Sequence, residues 1–388
     1  MASRVVVLIQ ENKTTDFYFP TLAAWGADVD NRGGLLPSPP DHDQPHDRNA
    51  WVHYRMGDYP AATAQVDNDV VIPYYSWLAK QFTFCDHHFG LGSNSTSGHM
   101  LAVGGQTPTL RNPPSSPAPP VWDLPTIFLH AERAGCTWGA FTADNGYPVR
   151  YYAELARQGG VHTSAAFLTM ARAGTLPQLC YVWSPGGLDE HPPQKPDPAY
   201  VSRGQDVVWQ RVSAVVDAGL WPDTVFILTW DDWGGYADHV ETPDSEVVPD
   251  ALHPDGFPVI GGSRIPLLLF GGQVVQGIEP EWHSHASIPK TVIDLLGLPP
   301  FGLARVDEAP SLAGRVDPGL HRDPPPAHCA TIVQPVPPAN PVRVPPGPWR
   351  GPLGQRLPDL AGNGGTVVPA PTDGVVRPQP PVLPSEAG

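Results

Sequence analysis

Residues Val5 to Ile9 form an unbroken run of branched apolar side chains with no polar position between them. A strand covered on one face alternates apolar and polar residues, so this run predicts a strand buried on both faces, as in a parallel sheet. Thr224 to Trp230 and Ile265 to Phe270 read the same way. Between these strands the period changes to that of a helix. Val208, Val212, Val215 and Val216 fall at i, i+4, i+7 and i+8 and place one apolar stripe along a helix from Gly204 to Ala218. Gly219 suits its C-terminal cap, as Gly135 suits the end of a helix over Pro125 to Ala134. Further helices are predicted over Ile72 to Gln81 and over Ile288 to Leu296, the latter with Ser287 as N-cap and Gly297 at its end.

Buried strands alternating with amphipathic helices predict an α/β domain, with a mostly parallel central sheet and helices on both faces. The pattern runs through residues 1–315. From 316 to 388 it gives way to proline pairs and triplets such as Pro324-Pro325-Pro326, Pro337-Pro338 and Pro345-Pro346. Such a segment buries too little apolar surface to offset its ordering entropy, so an extended proline-rich tail is expected, draped on the domain through Trp349.

The 51 prolines and 39 glycines are about twice the usual share and add a loop-rich architecture to this picture. A formal net charge of −16 opposes attachment to nucleic acid or to an anionic membrane surface. No apolar run approaches the roughly 18 residues needed to cross a bilayer. The opening residues lack the apolar segment and cleavage site of a secretory signal, which predicts a cytoplasmic protein as the chain is written, or a secreted one if it is a trimmed mature chain. Cys85, Cys136, Cys180 and Cys329 stand far apart with no CxxC pair, the pattern of isolated buried thiols.

The candidate chemistry sits at strand ends. Glu11 and Asn12 follow the first buried strand, and Asp231 and Asp232 follow the strand that ends at Trp230. The carboxyl ends of parallel strands form the ligand crevice of open α/β sheets. Three carboxylates and an amide converging there are hard oxygen donors suited to one divalent cation, and such donors admit calcium, magnesium, manganese or zinc. Each pair also reads structurally: Asn12 or Asp16 as a helix cap, and Asp231-Asp232 as an Asx-turn before Gly234-Gly235. A third cluster, Gly92 to His99 (GSNSTSGH), reads as a hydroxyl-rich polar loop. A hydroxyl there becomes a nucleophile if a bound cation lowers its pKa, without any Ser-His-Asp arrangement.

These residues carry a family resemblance. Glu11 to Phe19 (ENKTTDFYF) resembles the opening motif of the bacterial phosphoesterase family that includes phosphatidylcholine-type phospholipases C and acid phosphatase A. Asp69 to Phe89, Leu124 to Phe128 with Ala134 to Trp138, Glu190-His191-Pro192, Trp221 to Val240 and His285 to Ile288 are similar to its later blocks, in the same order. The resemblance spans about residues 4–300. It implies an alkaline-phosphatase-like α/β fold and metal-assisted hydrolysis of a phosphomonoester or a phospholipid-type phosphodiester through a phosphorylated hydroxyl. Carried over by position, the metal ligands are Glu11, Asn12, the nucleophile, Asp231 and Asp232. Gly105 aligns with the glycine that ends the nucleophile block, which puts the nucleophile at Ser95, with Ser93 and Thr96 as rivals, and a basic position at His99. Where the family has Pro-Asn, this chain has Ser97-Gly98, and its second acid of the pair is Asp232 rather than glutamate.

Phosphoryl transfer needs positive charge near the equatorial oxygens and a proton for the leaving group. His46, His191 and His239 are the candidates for those tasks; His87, His88, His283 and His285 rank below them. A sulfatase-type relative is disfavoured because no Cys-x-Pro-x-Arg signature is present. The alternative from another class is a non-catalytic protein that retains the fold and binds glycan or lipid through its 12 tryptophans.

Overall fold

The computed structural model describes residues 2–113, 120–143, 146–155, 158–241, 247–248, 257–258, 260–327, 332–347 and 366–367. The three apolar runs form the strands Arg4–Gln10, Thr224–Trp230 and Leu267–Gly271 of one eight-stranded sheet. Its order is Gly277–Glu279, Thr83–Cys85, Leu267–Gly271, Thr224–Trp230, Arg4–Gln10, Leu179–Trp183, Trp138–Thr142 and Val161–Thr163. Only Leu267–Gly271 runs antiparallel to its neighbours. The sheet is therefore mostly parallel, with Arg4–Gln10 and Thr224–Trp230 side by side at its centre, where both are buried.

Helices cover both faces. Gln10 reaches toward the helix Tyr200–Asp217, donating from Nε2 to the Gly204 carbonyl at 3.4 Å. The next side chains along the sheet point the other way. Tyr181 and Trp183 pair in register with Val7 and Ile9, and their polar tips reach Ala102 and His99 of the helix Ser95–Gly104. Pro73–Gln81 and Ser164–Arg172 pack with Tyr200–Asp217, whereas Ile127–Arg133 and Ser287–Leu296 pack with Ser95–Gly104. Two groups of helices thus enclose one core, and the burial of branched residues on both faces of the strands explains their lack of polar alternation.

Two local expectations are corrected. Ser287 is not a cap but the first helical residue, and its hydroxyl accepts the Ser284 N–H at 3.1 Å. The hydroxyl-rich segment is not all loop: it ends at Asn94, the N-cap, and Ser95 opens a fully buried helix. Serine, threonine and glycine are weak helix formers, so tertiary packing decides this helix, not propensity.

The described residues of 316–347 hold no helix and no strand of a sheet, but they are held to the domain. The Arg322 N–H donates to Gly272 at 2.7 Å and its carbonyl accepts the Trp221 indole at 2.9 Å. Gln334 donates to the Pro73 carbonyl at 2.8 Å and accepts from Lys80 at 3.1 Å. Arg343 ion-pairs with Asp28. Trp349 and Cys329 lie outside the described residues; Cys85, Cys136 and Cys180 are free and buried. Among the described residues no helix is long and apolar enough to cross a membrane.

Candidate active site

The central strands end level with each other because their register is one to one, from Arg4 opposite Thr224 to Gln10 opposite Trp230. Glu11-Asn12 and Asp231-Asp232 therefore leave the sheet at the same point. The Asp231 N–H still donates to the Gln10 carbonyl at 3.1 Å, and the chain then turns. Asn12 takes the left-handed conformation at φ 66°, which asparagine tolerates better than most residues. Its backbone N–H donates to Asp231 Oδ1 at 3.0 Å. Its side-chain amide is fully buried with no hydrogen bond to Oδ1 or Nδ2, and Asp231 Oδ2 is buried without a hydrogen-bond partner. The helix cap expected of Asn12 or Asp16 is supplied instead by Thr14.

Ser95 joins this point from the other side. Its hydroxyl donates to Asp232 Oδ2 at 3.2 Å, while Asp232 Oδ1 accepts the Gly234 N–H at 3.0 Å in the Asx-turn. Ser93 is bonded to the Asn94 carbonyl and Thr96 to Tyr147 Oη, so of the three hydroxyls only Ser95 is hydrogen-bonded to the acidic pair. Gly98 lets the helix approach so closely. A Cβ there would overlap the Asp231 carbonyl oxygen, which gives a physical reason for glycine at this departure from the family pattern.

His99 lies between the acids, with Nε2 3.5 Å from Glu11 Oε1 and 3.8 Å from Asp231 Oδ2. The Trp183 indole nitrogen stands 3.3 Å from its Nδ1; burial acts to lower the imidazole, but the hydrogen bond to Glu11 and the Asp231 charge outweigh it and push it up. Burial acts to raise the Glu11 carboxyl, but the hydrogen bond and charge of His99 outweigh it and hold it below the usual range. Burial and the Glu11 charge push Asp231 up, and burial with the Asp231 charge pushes Asp232 well up. Buried Asp231 and Asp232 beside the half-buried, ionised Glu11 resist ionising together, and a divalent cation is the natural counter-charge. Glu11, His99 and Asp231 offer ligand atoms within 4.8 Å of one another, with the Asn12 amide, Asp232 and the Ser95 hydroxyl as further hard donors at the same strand ends.

The histidines divide. His46 and His191 stand together, ring centroids 5.4 Å apart, beside Asp43. Burial acts to lower His46, but the Asp232 and Asp43 carboxylates outweigh it and push the imidazole up to about 10. His191 lines the same cavity as Ser95 and Glu11. The structure does not bring His239 to them. Its ring nitrogens meet Asp16 Oδ2 at 2.8 Å and Asp28 Oδ1 at 3.1 Å, in a separate charge network in which Arg264 pairs with Asp16 at 2.7 Å and Asp238 at 3.0 Å. With both nitrogens engaged by carboxylates, His239 reads as part of that network rather than as a catalytic group.

Glu190, in the Glu190-His191-Pro192 block, ties the strand ends together. Its buried carboxylate accepts from Gln10 at 3.1 Å, Trp230 at 3.0 Å, Tyr18 at 2.8 Å and Tyr75 at 2.6 Å. Gln10 and Trp230 immediately precede the two acidic pairs. The cavity beside Ser95 has a volume of about 560 Å³ and includes Asp189, Tyr147 and Arg150, none of which sequence reasoning singled out. Burial and the Glu11 charge raise Asp189 to about 6. These residues lie outside any recognisable motif, so no sequence signal marks them.

The Phosphoesterase family profile matches residues 37–299, more than half the chain. The chain belongs to this family. Curated relatives include the non-specific phospholipase C3 of Arabidopsis thaliana, 28% identical over 301 residues that cover 70% of this chain and 55% of the relative. Another is the non-hemolytic phospholipase C of Pseudomonas aeruginosa, 23% identical over 348 residues, 73% of this chain and 47% of the relative. The chain thus spans about half the length of the curated relatives it matches. Among solved structures it is similar to the lipoteichoic acid synthase LtaP of Listeria monocytogenes, with a TM-score of 0.45 and 11% identity over 76% of this chain and 72% of that one. A Vibrio parahaemolyticus protein of the alkaline phosphatase superfamily gives a TM-score of 0.41 and 12% identity, over 76% and 67%.

Proposed function

We propose that the protein hydrolyses phosphoesters, with Ser95 as the nucleophile and one divalent cation held by Glu11, Asn12, Asp231, Asp232 and the Ser95 hydroxyl. The observation that carries this reading is the Ser95 hydroxyl, 3.2 Å from Asp232 at the first turn of a helix, beside the buried Asn12 amide and the Asp231 Oδ2, neither of which has a hydrogen-bond partner. A cation bound there supplies charge that makes a hydroxyl more nucleophilic and offsets the negative charge of a phosphoryl group. The chain's own residues do the rest. Asp232 holds the Ser95 proton as Ser95 Oγ forms its bond to phosphorus, and the helix N-terminus favours the negative charge that gathers there. The P–O bond to the departing alcohol breaks in line, and the alcohol takes a proton from His46 or the adjacent His191. Water, giving its proton back to that histidine, then attacks the phosphoserine; the bond to Ser95 Oγ breaks, Asp232 returns its proton to Oγ, and phosphate or its monoester leaves. Glu190 and Gly98 position the groups that act.

The relatives named phospholipases C make a phosphodiester with a lipid the first substrate to try, beside simple phosphomonoesters. The test is a panel of monoesters and diesters assayed on chelated protein re-supplied in turn with calcium, magnesium, manganese and zinc. Hydrolysis that vanishes on chelation and returns with a metal is expected. Binding without turnover of any ester under any metal would overturn the reading in favour of a non-catalytic member of the family.

A further inference from the structure

Arg150 lies in the wall of the cavity that also exposes Ser95 and Thr96, on the short turn Val149–Tyr151. Hydrolysis as derived above gives it no task. Its guanidinium lies over two aromatic rings, 5.6 Å from the Tyr147 centroid and 5.1 Å from that of Tyr151. Nη2 donates to Tyr151 Oη at 3.1 Å, while Nε is buried without a partner. No carboxylate among the described residues forms an ion pair with it. A half-buried guanidinium held over two aromatic rings at the cavity wall, with no carboxylate paired to it among the described residues, is suited to receive an anion from the cavity.

Its place in the cavity says which anion. Tyr147 Oη is 3.3 Å from the hydroxyl of Thr96, the residue after the nucleophile, so the hydroxyl end of the Tyr147 side chain faces the reacting centre while Arg150 lies over its ring. Tyr147 thus stands between Arg150 and Thr96, so an anion held at Arg150 lies about one tyrosine side chain from the Ser95-Thr96 turn. A cavity of about 560 Å³ is the size of a head group, within the usual range for small-molecule sites. We infer that Arg150 recognises a second anionic group, a phosphate or a carboxylate, on the alcohol esterified to the phosphate that is hydrolysed. The inference rests on the phosphoesterase reading and narrows its substrate class.

The test uses three 4-nitrophenyl phosphodiesters that differ only in their second alcohol: glycerol, glycerate or glycerol 3-phosphate. The expected result is a kcat/KM at least about tenfold higher for one or both anionic esters than for the glycerol ester, carried by KM, as one charge-assisted contact provides. Which anionic ester gains tells carboxylate from phosphate. Arg150→Gln should collapse that ratio toward one, and Arg150→Lys should restore part of it. A ratio of one in the parent protein, or a ratio that Arg150→Gln leaves intact because all esters slow equally, would overturn the inference and place Arg150 on the reacting phosphate. Calorimetric binding of the same esters to Ser95→Ala separates the two readings. Tighter, Arg150-dependent binding of an anionic ester supports the subsite even where turnover fails, and equal binding of all three contradicts it.

Discussion

The backbone N–H of Asn12 donates to Asp231 Oδ1 across 3.0 Å, joining the ends of the two central strands through the residues that hold the most unsatisfied polar atoms of the site. That bond fixes where two carboxylates and an amide meet, and it makes the metal-free site a point of stored repulsion. The folded-state pKa of Asp231 is raised by burial and by Glu11, so the fold binds protons more tightly there than the unfolded chain does. Its ionisation therefore destabilises the metal-free protein as pH rises above the ordinary aspartate range. Asp231→Asn keeps an acceptor for Asn12 and removes the charge. We expect metal-free Asp231→Asn to melt higher than the metal-free parent at neutral pH, while hydrolysis falls by several orders of magnitude. Added divalent metal should raise the melting temperature of the parent far more than that of the variant, by mass action on the folded state. Thermal melts with and without chelator check both stability effects, and the ester assay checks the third.

Gly98 brings the helix of Ser95 against the Asp231 carbonyl, and a Cβ at that position has no room. The neighbouring atoms are backbone, so the helix must move. Gly98→Ala should lower kcat by at least about tenfold, since small misplacement of reacting groups is costly, with the far-ultraviolet circular dichroism unchanged. Activity equal to the parent would show that the helix position is not what sets the site.

The His239 network gives a pH signature separate from catalysis. Hydrogen bonds donated to the Asp16 and Asp28 carboxylates push the imidazole up from 6.5 to about 9 in the folded protein. The charged ring is favoured by folding, so its stabilisation is fully present below pH 6.5 and is lost as pH rises through about 9. The melting temperature should fall across that window, and His239→Gln should flatten the slope. A variant that keeps the parent's slope would assign the titration to another group.

Removing residues from 325 onward should leave a folded, active domain. The truncation deletes the hydrogen bonds of Gln334 with Pro73 and Lys80 and the ion pair of Arg343 with Asp28. Such partly exposed interactions contribute about 1 kcal/mol each, so the melting temperature should drop by only a few degrees. An aggregated truncated chain would make the strap part of the core.

The centre of the sheet is legible in the sequence because strands buried on both faces cannot hide their composition. Val5 to Ile9 and Thr224 to Trp230 are apolar without interruption, and the polar residues that follow them are conspicuous for standing where the apolar run stops. Leu179–Trp183 and Trp138–Thr142 are not legible: they carry cysteine, tyrosine, tryptophan and glycine in short runs that periodicity does not separate from loop. The Ser95 helix escapes a sequence reading because its first turn is made of residues that favour caps and turns, and burial overrides that preference. Glu11, Asn12, Asp231, Asp232 and Ser95 are neighbours: the Asn12 N–H bonds Asp231, the Ser95 hydroxyl bonds Asp232, and His99 stands between Glu11 and Asp231. His239 is not among them, because its nearness in sequence to Asp231 says nothing of which way the chain turns after Gly234-Gly235. Arg150 and Asp189 have no motif to announce them.

The most direct test of the account is mass spectrometry of protein quenched during turnover of a slow phosphoester in the presence of metal. The account predicts a phosphoryl group on the peptide containing Ser95, fragmented to that residue, and none in Ser95→Ala. A label on Ser93 or Thr96, or full activity in the alanine variants of all three hydroxyls, would contradict it.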